Sequence, residues 1–502
     1  MSVDGAHRLR ARRLGIDTQS EFVVFMRKGC TVCRSEGFVT HNRILLQAGD
    51  RHVIATLYQI TGNLLDLCDA GLSESVWNKL DLKEGDDIIV AHPEPLGSLS
   101  LVRSRIYGKR LDERALLEII GDVVEGQYSD IHISSFLTAC ATKPLDQREI
   151  LGLTRAMVDV GERLSWNTAI VADKHSVGGL PGNRTTPILV AIAAALGLTM
   201  PKTSSRAITS PAGTADMMET LAPVELDIAQ IHRVVEMEGG CIVWGGAVKL
   251  SPADDILIRV ERALDVDTEG QMIASVMSKK IAAGATHLIL DMPIGPTAKV
   301  RNDEAAQSLT AGLVAVSDAF GIKARIVRGD GSQPIGRGIG PALEARDVLA
   351  VLQALPEAPT DLRDRAVALA GALIELVGLA PSNGAALAAE TLEDGRAWRK
   401  FQRICEAQGG MRTPPASSHR KPIVADRSGR LAAIDNRRIA KLAKLAGAPD
   451  AKAAGIDLDI RIGDIAVAGQ PLCMVHSEAS GELDYAMSYA AANTDIFRIE
   501  DI

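Results

Sequence analysis

Short apolar runs separated by Gly and Asp fill the first hundred positions. Phe22-Val23-Val24-Phe25, Arg43-Ile44-Leu45-Leu46, His52-Val53-Ile54-Ala55-Thr56-Leu57 and Asp87-Ile88-Ile89-Val90 have the length and β-branched content of strands, and predict a β-rich domain over residues 1–100. From about Val102 the period lengthens to that of helices. Leu116, Leu117, Ile119 and Ile120 share a stripe on one helix opening at Leu111-Asp112; Ile150, Leu153, Met157, Val158 and Val160 share another on a helix opening at Leu145-Asp146. This predicts a helical domain over 101–165, joined in space by a helical stretch at about 255–285. Residues 166–412 then alternate extended segments with helices, the pattern of an α/β domain on a parallel sheet. Within it Thr168–Ala172 reads as a strand, and a strongly apolar helix runs from near Thr185 through Ile188-Leu189-Val190-Ala191-Ile192 to Leu196, with Gly197 as its stop. The linker Thr413-Pro414-Pro415-Ala416-Ser417-Ser418 leads to an α+β domain over 419–502.

The expected fold class is therefore multidomain α/β. Leu80–Val90 resembles the turn-then-strand of small double-psi or swapped-hairpin barrels, so the N-terminal domain is expected to be β-barrel-like. Ile460–Leu472 resembles the turn of a barrel-sandwich, lipoyl-like fold, but carries no lysine for a tethered cofactor, so it reads as structural. No repeat with a period of roughly 20 to 50 residues recurs. An apolar content of 46% builds large cores, whereas a net charge of −8 and an aromatic fraction of 3% argue against a nucleic-acid partner, duplex or single-stranded. No apolar segment reaches the roughly 20 residues of a membrane span. Arg8, Arg10, Arg12 and Arg13 have no apolar run behind them, so they read as a solvated tail rather than a secretory signal. Seven scattered cysteines fit a reducing cytoplasm. Cys30 and Cys33 have metal or redox spacing, but no second pair at zinc spacing accompanies them; packed or surface thiols are expected, and no metal.

The chemistry concentrates in two consecutive loops. Asp173-Lys174-His175-Ser176-Val177-Gly178-Gly179-Leu180-Pro181-Gly182-Asn183-Arg184-Thr185-Thr186 is cationic, hydroxyl-rich and glycine-rich, and lies just before the apolar helix. Glycines such as Gly179 let backbone N–H groups approach an oxyanion, Lys174 supplies charge, Ser176 and Thr186 supply hydroxyls, and the helix points its positive end at the loop. Lys202–Thr214 repeats the arrangement, joining an extended segment to a helix starting near Thr214. In open α/β sheets, ligands collect where strand carboxyl ends feed such loops. The duller reading, that Lys174 and Ser176 merely cap a helix, is weakened by the second loop.

Asp173-Lys174-His175-Ser176 with Gly178-Gly179, Ser204-Ser205-Arg206 with Gly213-Thr214, and Ser275-Val276-Met277-Ser278-Lys279-Lys280 resemble, in order, the thymidine and pyrimidine nucleoside phosphorylases. The wording Gly179-Leu180-Pro181-Gly182-Asn183-Arg184 and Ser205-Arg206-Ala207-Ile208-Thr209-Ser210, with the β-rich extension, is similar to the long subclass that includes the AMP phosphorylases. The resemblance implies phosphorolysis: phosphate attacks C1′ of a thymidine-like nucleoside, releasing base and (deoxy)ribose 1-phosphate, with no cofactor. The AMP-type alternative gives base and ribose 1,5-bisphosphate. The resemblance puts Lys174, Ser176, Gly179, Thr186 (where a serine is usual), Ser204 and Thr214 on phosphate, and Ser205, Arg206, Ala207, Ile208, Thr209, Ser210, Arg259, Ser275 and Lys279 on the base or nucleotide. In the AMP-type pattern Asp267 is the proton donor and Lys299 holds the nucleotide's phosphate. It also implies a homodimer through the helical domain, with the N-terminal barrel adding higher assembly.

Phosphorolysis passes through an oxocarbenium-like sugar, so a site must hold phosphate and neutralise charge growing on the base. Lys174 and the loop amides suit the first task; His175 or a carboxylic acid suits the second. Each has a plainer rival. A histidine beside a lysine is pushed toward neutrality, so His175 could orient the loop instead. Asp267 could cap a turn, Lys299 could be an ordinary surface lysine, and of Lys279 and Lys280, adjacent on a helix, one should face solvent. A nucleotide-binding regulator is the non-enzyme alternative. Phosphoribosyl transfer with pyrophosphate as the leaving group, as in anthranilate phosphoribosyltransferase on the related fold, needs acidic metal-binding motifs that these loops lack.

Overall fold

The structure, a computed structural model, describes residues 8–19, 21–207, 210–264, 266 and 268–501. It divides into two compact units, one of residues 1–160 with Pro252–Gln271, the other of Gly161–Ser251 with Met272–Ile502.

The first unit opens with a closed barrel. Strands β1 (Arg8–Arg13), β2 (Val23–Arg27), β3 (Arg43–Ala48), β4 (Arg51–Ile60), β5 (Asp69–Leu72) and β6 (Asp87–Ala91) ring up in the order β1-β5-β2-β4-β3-β6. The arginine-rich start is thus a strand and not a solvated tail. Leu9 and Ala11 alternate into the barrel core, while Arg10 and Arg12 flank the buried Asp69 carboxylate at 3.1 Å each. Arg13 pairs with Glu74 at 2.6 Å. Alternation, rather than an apolar run, made this a strand. Cys30 and Cys33 are free and buried in the same core.

Helices Ser98–Ile106, Glu113–Val124, Asp130–Thr142 and Gln147–Asp159 follow, joined in this unit by Pro252–Leu264. Asp112 and Asp146 cap the second and fourth by accepting backbone N–H groups, as their sequence positions suggest. Arg105 is fully buried against Glu149 at 2.8 Å, and the Glu149 carboxylate also takes Arg110 and the Leu111 N–H.

In the second unit, parallel strands β7 (Ala172–Ser176), β8 (Met200–Ser204), β9 (Gly240–Trp244), β10 (His287–Ile294) and β11 (Lys323–Asp330) form ladders β11-β10-β7 and β8-β9. A Val171–Thr199 bridge joins them. Helix Thr185–Ala195 is buried from Thr185 to Ala194 and ends at Gly197, whose φ of +82° suits a residue without Cβ. Its Ile188, Leu189, Val190 and Ile192 lie in the main core, each worth about 1.5–3 kcal/mol on burial.

Two strands run further than their apolar residues do. The expected strand Thr168–Ala172 is really Ala172–Ser176, and β8 reaches Ser204, so Asp173, Lys174, Lys202 and Ser204 stand in strands rather than loops. An apolar run ends at the first charge, but a buried charge that meets its counter-charge can continue a strand.

The chain ends in strands His419–Val424, Gly429–Ile434, Gly455–Leu458, Ile465–Ala466, Pro471–Ser477 and Phe497–Glu500, with helices Asn436–Leu445 and Ser480–Ala492, around a core of their own. Gly338–Ile339 pairs with Gly455–Leu458 and ties this sheet to the preceding fold.

Candidate active site

Strands β7 and β10 carry a compact ionic cluster. Lys174, 1% exposed, directs Nζ to Thr185 Oγ1 at 2.9 Å and Thr186 Oγ1 at 3.3 Å, in the first turn of the buried helix, and to Asp291 Oδ2 at 3.4 Å. Asp291, in the middle of β10, also takes Arg365 and the Asn183 amide, the latter at 2.9 Å. The same amide donates to Ser176 Oγ at 3.2 Å, so Lys174, Ser176, Thr185 and Thr186 share one network. Burial pulls the Lys174 pKa down, and the neighbouring Asp291 opposes it.

Beside it, Asp173 holds Lys280 at 2.7 Å and Lys202 at 3.3 Å. Burial would raise the Asp173 pKa; the two lysines outweigh burial and keep it low. Two carboxylates, Asp173 and Asp291, thus face four basic groups, Lys174, Lys202, Lys280 and Arg365. Burial pulls the Lys280 pKa down to about 7, so that lysine is only partly charged at neutral pH, yet basic groups outnumber acidic ones in a low-dielectric setting, the condition for drawing an anion. His175 sits among these lysines, and burial first, then Lys280 and Lys202, hold its pKa well below the usual histidine range. Its ring is neutral at pH 7.

The glycine loop is shaped by close backbone approach. Gly179 has φ +79°, and a Cβ there would lie 2.3 Å from Lys299 N. The exposed Lys299 therefore stands directly against the loop. Arg184 joins the two loops, donating to the Ala212 carbonyl and pairing with the buried Glu344. Ser204, at the end of β8, buries a hydroxyl that has no hydrogen-bond partner among the described residues. Thr214 begins the helix Thr214–Glu219 of the second loop.

Not every expected residue gathers here. Arg206 is committed to Glu219 at 2.8 and 2.9 Å and Glu225 at 2.9 Å, and lies over the Trp244 ring at 4.8 Å. Ala207 N–H donates to Asp216, Ser210 to the Ala212 carbonyl, and Ser205 is exposed. Lys279 donates to Ser275 at 3.2 Å, one turn apart on helix Glu269–Ala282. Arg259, in the other unit, makes a two-pronged pair with Asp130 at 2.6 and 2.7 Å. Asp267, Ile208 and Thr209 lie outside the described residues. Of the adjacent lysines, Lys279 is half-buried and Lys280, given no role in the sequence, is the buried one. Asp173, Asn183, Arg184, Lys202, Lys280, Asp291 and Arg365 were all missed as site groups. Two left a signal: Asp291 is a lone charge inside Leu288–Met292, and Lys280 interrupts the apolar stripe of its helix.

The parallel sheet with its buried ionic cluster, and the helices that precede it in the chain, match a sugar-transferring enzyme class. The profile of the "Glycosyl transferase family, a/b domain" matches residues 168–398 and that of the "Glycosyl transferase family, helical bundle domain" matches 99–161. Full-length relatives narrow this. A "Putative thymidine phosphorylase" of Chelativorans sp. (strain BNC1) is 60% identical, covering 98% of this chain and 97% of that one. Another of the same name, from Sphingopyxis alaskensis, is 59% identical over 99% and 96%. The chain belongs to the thymidine phosphorylase family, of the pentosyl-transferring glycosyl transferases. In fold it is similar to anthranilate phosphoribosyltransferase from Thermus thermophilus, at a TM-score of 0.51 and 23% identity over 61% of this chain and 98% of that one.

Proposed function

We propose that the protein catalyses phosphorolysis of a nucleoside, thymidine or another pyrimidine nucleoside, giving free base and (deoxy)ribose 1-phosphate. The observation that carries this is the buried Lys174 with Thr185, Thr186 and Ser176 at a helix N-terminus, inside a cluster with surplus positive charge. A phosphate oxygen forms the bond to C1′ as the C1′–N bond breaks, and the base leaves with the electron pair and takes up a proton. Lys174, the loop amides and Ser204 would hold the nucleophile; the unpartnered Ser204 hydroxyl supports that role. A neutral His175 is a hydrogen-bond partner rather than a charged acid, which leaves the proton to Asp267 in the AMP-type pattern. No cofactor enters these steps. Ser275, Lys279 and Arg259 are assigned to the base by family pattern.

The second reading, an AMP-type phosphorylase giving ribose 1,5-bisphosphate, gives Lys299 the nucleotide's own phosphate by family pattern, and the Lys299 backbone lies against Gly179 of the phosphate loop. Phosphate-dependent base release from thymidine, uridine, cytidine, adenosine, AMP, CMP and UMP tests both. Release from nucleosides supports the first reading; release from AMP, lost in Lys299→Ala, supports the second. Binding without release from any substrate would make the protein a nucleotide-binding regulator. We further infer a cytoplasmic homodimer; all seven cysteines are free, and no helix among the described residues is long and apolar enough to cross a membrane.

A further inference from the structure

The C-terminal domain has no part in the reaction as derived so far, yet three of its residues grip the segments that back the anion loops. Asn436, 1% exposed, opens the helix Asn436–Leu445. Its Nδ2 donates to Thr297 Oγ1 at 3.0 Å and to the Gly331 carbonyl at 3.0 Å, and its backbone N–H donates to Thr297 Oγ1 at 3.2 Å. Thr297 belongs to the turn closed by Ala298 N–H on the Gly295 carbonyl at 3.0 Å and Gly295 N–H on the Val300 carbonyl at 3.0 Å. That turn presents Lys299 N to Gly179, with no room for a Cβ between them.

Arg461 repeats the arrangement on the loop that follows β11. Its guanidinium donates to the Pro334 carbonyl at 2.7 Å and to the Gly336 carbonyl, and Ile462 N–H donates to Gln333 Oε1 at 2.9 Å. Between these anchors Ile335 N–H donates to the Pro181 carbonyl at 3.2 Å, and Ile335 O would lie 2.0 Å from a Cβ on Gly182. Lys452 does the same for the second loop, pairing with Glu219 at 2.8 Å behind Arg206. The buried Asn436 amide and the half-buried Arg461 guanidinium, spent on loop acceptors, fix backbone position, and an ångström of drift in a phosphate cradle is felt in binding.

We infer that Asn436 and Arg461 are positioning residues for the phosphate loop, so that the C-terminal domain acts as its backing plate. This rests on the phosphorolysis reading and adds to it the residues that set phosphate affinity from outside the cradle.

The test is inorganic phosphate binding by calorimetry, with phosphate and nucleoside KM, on the full-length protein. Asn436→Asp and Arg461→Met weaken phosphate binding and raise phosphate KM on the order of tenfold, with nucleoside KM within about twofold. Thr297→Val does the same, whereas Thr297→Ser, which keeps the acceptor, retains wild-type affinity. Lys421→Ala, exposed on strand His419–Val424, changes nothing. If Asn436→Asp fails to fold, Thr297→Val and Arg461→Met still decide. Folded variants with wild-type phosphate affinity and a lowered unfolding temperature would overturn the inference and leave these contacts merely structural. A wild-type protein that binds no phosphate would remove the phosphorolysis reading, and this inference with it.

Discussion

Two carboxylates order the cradle. Asp291 holds Lys174 from one side and Asp173 holds Lys280 and Lys202 from the other. Lys174→Ala should abolish phosphate-dependent base release while circular dichroism stays native, because Asp291 keeps Arg365 and Asn183. Lys280→Met takes one cation from Asp173, which keeps Lys202 at 3.3 Å, so it should lower stability in denaturant unfolding by less than the about 3–5 kcal/mol of a buried charge left alone. Glu344, which anchors Arg184, gives a pH prediction. Burial raises its pKa to about 7 despite Arg184, above the usual 4.5. The folded state then holds the proton more tightly, so this group's contribution is full below pH 4.5 and is lost as pH rises to 7. Asp347, raised by burial to about 6, acts in the same sense. Glu344→Gln should flatten the fall in unfolding temperature over that window; an unchanged slope would remove Glu344 from it. Lys174, Ser176 and Thr186 were legible because a glycine-rich loop gathers its chemistry locally. Lys280 and Asn183 were not, lying 107 and 108 positions from the aspartates they bind.

At the level of elements, the helix Thr185–Ala195 was readable because its apolar run, its start and its glycine stop agree. The strands before it were not, since β7 and β8 end in residues that look like loop and are held by partners in other elements. Strand β1 was hidden for a related reason: its arginines mask a two-residue alternation whose inward members are only Leu9 and Ala11. The glycine loop separates two effects. Gly178, at φ +97° with open space around it, should lose only about 1–2 kcal/mol as Gly178→Ala. Gly179→Ala also drives a methyl into the Lys299 backbone. It should therefore lose phosphate affinity well beyond Gly178→Ala, as phosphate titrations of the two variants would reveal.

At the scale of the whole chain, the ionic cluster of Lys174, Asp173 and Asp291 lies wholly in the unit formed by Gly161–Ser251 and Met272–Ile502. Scanning calorimetry should therefore give a phosphate-dependent transition for that unit alone. Phosphate at ten times its dissociation constant adds about 1.4 kcal/mol there, leaving the other transition unmoved; a shift in both would couple the units. The broad succession of β-rich, helical and α/β regions could be read from texture because each has its own hydrophobic period. Which residues complete the cradle could not, since that depends on how β10 and the helix Glu269–Ala282 return to β7.

The ring formed by β1 to β6 has one more consequence. With every strand flanked on both sides, it offers no unsatisfied row of peptide groups for a foreign segment to extend. Any association through this part of the molecule must be read by side chains and loop tips, which point mutation can tune one contact at a time.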